Sequence, residues 1–70
     1  MLKAQNASVQ WDGKTNNWRV SVHLGEEVIH RHPERRLPRD ADDHALRDLV
    51  LEVAREDGYE VPPESVSIAR

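Results

Sequence analysis

Fifteen residues, Trp18-Arg-Val-Ser-Val-His-Leu-Gly-Glu-Glu-Val-Ile-His-Arg-His32, constrain the fold more than any other part of this chain. Two alternating runs flank Gly25-Glu26, and a Gly followed by a polar residue suits a two-residue hairpin loop, because Gly accepts the positive φ required there. Leu24 and Glu27 then flank the turn. Opposed pairs follow from that register: His23 with Val28, Val22 with Ile29, Ser21 with His30, Val20 with Arg31 and Arg19 with His32. One face carries Trp18, Val20, Val22, Leu24 and Ile29, with Glu27 and Arg31 at its margins. The other carries Arg19, Ser21, His23, Val28, His30 and His32. A one-residue slip would mix the two faces, so the pattern selects this register.

Upstream, Ala7-Ser-Val-Gln-Trp11 alternates in the same way and predicts a first strand. The loop that follows, 12–17, allows two pairings. A tight Asp12-Gly13 turn sets Val9 against Asn16, whereas a longer loop sets Trp11 against Trp18 and Val9 against Val20. The second is favoured because aromatic and β-branched cross-strand pairs stabilise a sheet by about 0.2–1 kcal/mol each. Both tryptophans then belong to the core. Residues 1–6 carry no pattern and are expected to fray.

His32-Pro33 ends the third strand, and Pro33-Glu-Arg-Arg-Leu-Pro-Arg39 is a proline-stiffened connection anchored by Leu37. Asp40 is the expected N-cap of a helix over 41–57, with Asp43 completing a capping box. Ala45, Leu46, Leu49, Val50, Val53 and Ala54 form one apolar stripe, and Asp48, Glu52 and Glu56 an acidic row. Leu51 lies off the stripe. Gly58 supplies the left-handed position after the last turn. Val61-Pro-Pro63 breaks regular structure, and Ser65-Val-Ser-Ile-Ala69 predicts a last short strand. The expected fold is α+β in the order β-β-β-α-β, a four-stranded mainly antiparallel sheet with one helix on its apolar face. A right-handed crossover places the last strand parallel to the first or the third; the place beside the first is preferred, giving spatial order 3-2-1-4 with the third strand as an exposed edge.

The strand order and the stretch Glu56-Asp-Gly-Tyr-Glu-Val-Pro-Pro-Glu-Ser65 resemble the small HicB-type antitoxin domains. The resemblance covers only that junction and the topology. The family's Pro-Asp-Leu-Pro-Gly segment before the helix is replaced here by Pro33-Glu-Arg-Arg-Leu-Pro38, so no residue role is carried over.

Seventy residues make one domain, 1–70, and a chain of this size buries only about 60% of its unfolded surface. A deep private active site is not expected. There is no Cys, which excludes disulfides and thiolate metal sites. No run approaches the ~18 apolar residues of a membrane span and no leader pattern opens the chain, so a cytoplasmic, bacterial-type protein is the expectation.

Charge is unevenly spread: 30–39 carries +3, 40–60 carries −6, and the rest sums to zero. Arg31, Arg35, Arg36 and Arg39 supply the basic part and are the candidate surface for an acidic partner or nucleic acid. Against nucleic acid stand the inward tryptophans, which leave no base-stacking platform, and the acidic helix. His23, His30 and His32 share one sheet face and are the candidate metal ligands, although no Cys, Asp or Glu on those strands completes a set. The same imidazoles equally make a solvated polar face. Ser8, Ser21, Ser65 and Ser67 lack a nucleophile context, the three glycines stand singly, and His44 between Asp40 and Asp48 reads as a surface imidazole. The expectation is a non-enzymatic accessory or protein-interaction module, without cofactor, that pairs through its sheet edge with itself or another protein. The alternative is a nucleic-acid-binding accessory protein that uses the four arginines.

Overall fold

Alternation becomes register in the computed structural model, which describes residues 2–69. Strands β3 (Asn17–Leu24) and β4 (Glu27–Arg31) form the hairpin, with Leu24 opposite Glu27, Val22 opposite Ile29 and Ser21 opposite His30. Gly25 takes φ 64° while Glu26 stays at negative φ, as a type II′ loop requires. The ladder ends at Arg31, so the expected Arg19–His32 pair is not part of it. Strand β2 (Asn6–Asp12) runs antiparallel to β3 with Trp11 opposite Trp18 and Val9 opposite Val20. The longer loop is therefore the one formed. Asp12 Oδ1 accepts the Lys14 N–H at 3.0 Å, and Asn16 adopts the left-handed φ of 53°. That same N–H is the main reason the Asp12 carboxyl is held below its usual range.

The helix, α1 (Asp43–Glu56), begins later than the sequence pattern implies. Asp42, not Asp40, is the N-cap: its side chain accepts the Ala45 N–H at 2.8 Å. The displacement has a local cause. Ala41 is buried and donates its N–H to Pro38 O at 3.1 Å, so 38–41 is a turn and only Asp42 is free to cap. Asp42→Ala should therefore cost about 1 kcal/mol, a fall of roughly 4–8 °C in melting temperature, while Asp40→Ala changes it by less than a third of that. Thermal unfolding of both variants checks this, and equal effects would refute the assignment. Along the helix Leu46, Leu49, Val50, Val53 and Ala54 are buried, whereas Ala45 and Leu51 are half-buried.

Of the segment 1–6, whose lack of pattern predicts fraying, residues 2–6 are held by backbone pairing, and Met1 lies outside the described residues. Leu2–Lys3 form strand β1, parallel to strand β5 (Tyr59–Glu60), with Leu2 opposite Tyr59. Leu2 N–H donates to Gly58 O, Ala4 N–H to Glu60 O and Gln5 N–H to His23 O. The left-handed Gly58, φ 85°, turns the chain from helix to β5. A single 3₁₀ turn, Pro63–Ser65, then leads into β6 (Val66–Ala69), one residue later than the alternation at Ser65 implies.

β6 runs parallel to β2, with Ala7 opposite Val66 and Val9 opposite Ile68. The larger sheet has the order β4-β3-β2-β6, antiparallel except for that last pair. The fold is thus α+β, one helix against a four-stranded, mostly antiparallel sheet. Its core lies between them: Trp18, Leu46, Leu49, Val9, Val20, Val22 and Val50 are under 2% exposed. Trp11 is only half-buried, so one tryptophan rather than two is fully interior.

Candidate functional site

The sheet is not covered evenly. α1 packs on β2, β3 and β6, and β4 projects beyond it as an edge strand. None of the five residues of β4 is buried, and Val28 is 43% exposed. Backbone chemistry at this edge follows from the register. In a hairpin closed by a two-residue loop the flanking pair exchanges both hydrogen bonds, and inward- and outward-facing backbone groups then alternate along the strand. Glu27, Ile29 and Arg31 bond to β3, while Val28 and His30 turn their N–H and C=O away from the sheet. One contact reports that direction: Arg31 Nη1 donates to the outward His30 O at 3.1 Å. The same guanidinium is anchored by Asp57, with Nε donating to Oδ2 at 2.8 Å. A charge folded over an edge carbonyl is a recognised guard against unwanted strand addition.

The four candidate arginines are distributed rather than clustered. Arg31 holds Asp57, as above; Arg35 lies 3.4 Å from Glu52 on the acidic row of α1. Arg36 Nη1 donates to Thr15 O at 3.3 Å, and the Arg39 guanidinium sits 5.9 Å from the ring centre of Trp11. The basic connection thus stitches the helix and the β2–β3 loop to itself. A shallow groove of about 170 Å³ lies where Pro33, Glu34 and Arg35 meet Leu49, Glu52, Val53 and Glu56. It holds acids and a base already in contact, and nothing in it converges on a ligand.

The three histidines share the open face but do not meet. His30 Nδ1 shares a hydrogen bond of 2.9 Å with Ser21 Oγ, the close approach expected of an opposed pair whose backbone groups face away from each other. His23 lies opposite Val28, and His32, past the end of β4, places Nε2 3.7 Å from Asp12 Oδ2. Among the described residues no group of three or more His, Cys, Asp or Glu side chains is placed to hold a metal. The convergence that shared strand parity suggests is therefore not formed. His44 Nε2 lies 3.5 Å from Asp48 on an exposed helix face.

Asn17 is a residue whose weight the sequence pattern conceals. It reads as loop, yet it is 7% exposed at the start of the central strand β3. Its Nδ2 donates to Pro33 O at 3.2 Å and Arg35 O at 3.5 Å, and its Oδ1 accepts the Leu37 N–H at 3.4 Å. That amide fixes the path by which the connection leaves β4. Its only sequence signal is a polar side chain beside an expected core tryptophan.

No described helix is long and apolar enough to cross a membrane. Compared with protein-family models, curated proteins and solved structures, the chain finds no match.

Proposed function

We propose that this chain is a non-enzymatic protein-interaction module that engages its partner by strand addition at β4. One observation carries the reading: β4 stands at the sheet edge, past the helix, with no buried residue and with the backbone groups of Val28 and His30 turned outward. Strand addition uses such groups for affinity and alternate side chains for choice of partner. β6, the other edge, lies against α1 and is crowded on one side. The nucleic-acid alternative has less support, because each of the four arginines makes a contact within the chain and Trp18 is buried.

Photo-cross-linking tests this. A photoreactive amino acid placed at Val28 should give a covalent protein adduct in cells, and one placed at Asp48 on the helix should not. The adduct should be lost with His30→Pro, which removes an outward N–H while leaving the β3–β4 bonds in place. Adducts indifferent to His30→Pro would overturn the reading. Binding to mixed-sequence RNA that weakens log-linearly with salt, and is lost when the four arginines become Ser, would establish the alternative.

A further inference from the structure

The edge is self-complementary, and we infer that its occupant is a second copy of this chain, paired β4 to β4 in antiparallel register about a twofold axis at Ile29. This inference rests on the edge reading above and names its partner. Only residues with outward backbone groups can exchange bonds across such an interface, which restricts direct opposition to combinations of Val28 and His30. Centred on Ile29, Val28 of one copy faces His30 of the other, and the reciprocal pair follows by symmetry.

All five positions of Glu27-Val-Ile-His-Arg31 are then matched. Glu27 faces Arg31 of the second copy at both ends of the ladder, Ile29 faces Ile29 at the axis, and Val28 packs beside His30 on the open face. The two alternatives are poorer. Val28 against Val28 sets Ile29 beside Glu27 and carries Arg31 past the turn to Gly25. His30 against His30 brings like imidazoles together, sets Ile29 beside Arg31 and draws Pro33 towards Glu27. Charge complementarity therefore selects both the partner and the register.

Arg31 is the moving part. In the single chain its Nη1 covers His30 O, the carbonyl that must accept Val28 N–H of the second copy. Pairing displaces Nη1 from that carbonyl and offers it to Glu27 across the axis, while Nε keeps Asp57. The guard becomes the latch. Because α1 packs mainly on β2, β3, β5 and β6 rather than on β4, the edge is open to a second copy, and pairing joins the sheets into one of eight strands. The interface is small, so the expected dissociation constant is on the order of 10–1,000 µM.

Sedimentation equilibrium over about 10 µM to 2 mM tests this with five samples: the natural chain, Glu27→Arg, Arg31→Glu, an equimolar mixture of those two variants, and Val28→Pro. Each single reversal sets like charges opposite one another twice, and should weaken the dimer about 10- to 100-fold. Mixing the two reversals pairs opposite charges again and should restore a one-to-one dimer. Val28→Pro, which removes only an outward N–H, should abolish it. A natural chain that stays monomeric throughout overturns the inference, and so does a dimer indifferent to Val28→Pro or a mixture no stronger than its components. Failure here is separable from failure of the edge reading. Cross-linked adducts at Val28 whose mass is that of the chain plus a different protein would sink the second copy and leave the edge standing; no adduct at Val28 would sink both.

Discussion

Trp18→Ala should lower the folding stability of the chain by about 3–5 kcal/mol. Trp18 is 1% exposed, meets Trp11 edge-on at 5.5 Å between ring centres, and donates its Nε1–H to Pro38 O at 3.0 Å. Truncating a buried Trp costs about 3–5 kcal/mol. Total stability for a domain of this length is about 4–10 kcal/mol, so this one change removes a large part of it. Trp18→Phe separates packing from hydrogen bonding. It keeps an aromatic ring in the core but removes one of the two donors to the Pro38 carbonyl, which retains the Ala41 N–H, at a cost of about 0.5–1.5 kcal/mol. Urea unfolding followed by far-UV circular dichroism should rank the natural chain above Trp18→Phe and Trp18→Phe above Trp18→Ala. A cost below about 1 kcal/mol for Trp18→Ala would mean that the core is not built around this side chain.

Asn17→Ala is the second large effect, about 2–3 kcal/mol, and it is a polar one. Asn17 is 7% exposed, and its amide serves two carbonyls and one N–H of the connection between β4 and α1 through part-buried hydrogen bonds. Removing it strands those backbone groups without replacing their partners, and unsatisfied buried groups cost more than the bond itself contributes. Asn17→Asp restores only the acceptor for Leu37 N–H and turns a carboxylate towards the Pro33 and Arg35 carbonyls, so it should not rescue. Hydrogen exchange gives a local readout. In Asn17→Ala the Leu37 amide should exchange much faster than in the natural chain, with the β2–β3 ladder amides changing only by the global loss. Uniform acceleration at every amide would show that Asn17 acts on overall stability and not on the path of the connection.

Much of the sheet was legible because burial leaves a period-two trace. Val20, Val22 and Trp18 alternate with Arg19 and Ser21, and that pattern tolerates one register against Val28, Ile29 and His30. The longer β2–β3 loop followed from matching Trp11 to Trp18, whereas a right-handed crossover allowed the last strand beside either the first or the third strand, and the structure places it beside β2. The helix start was misread by two residues for a reason sequence does not show. Asp40 and Asp42 are equally good caps, and the choice was made by Ala41, which tertiary packing buries.

β1 and β5 were illegible, since two-residue strands carry no alternation; they exist because Leu2 and Ala4 find the carbonyls of Gly58 and Glu60. The arginines illustrate the same limit for the site. Their count and sign were plain in the sequence. Their partners were not, because a guanidinium on a long side chain chooses among the acids, carbonyls and ring faces that folding happens to bring within reach.

The hairpin, the turn at Gly25-Glu26 and the helical stripe were thus determined by the sequence alone, through local periodicity and turn chemistry. Tertiary structure decided which aspartate caps the helix, what Asn17 and the four arginines hold, and that three histidines on one face stay apart. It also decided the exposure of the stretch Glu27–Arg31. Its reversed charge order is written in the chain. Only the insertion of β6 beside β2, and the placing of α1 over β2, β3 and β6, leaves that stretch at an open edge, because edges are properties of a whole sheet.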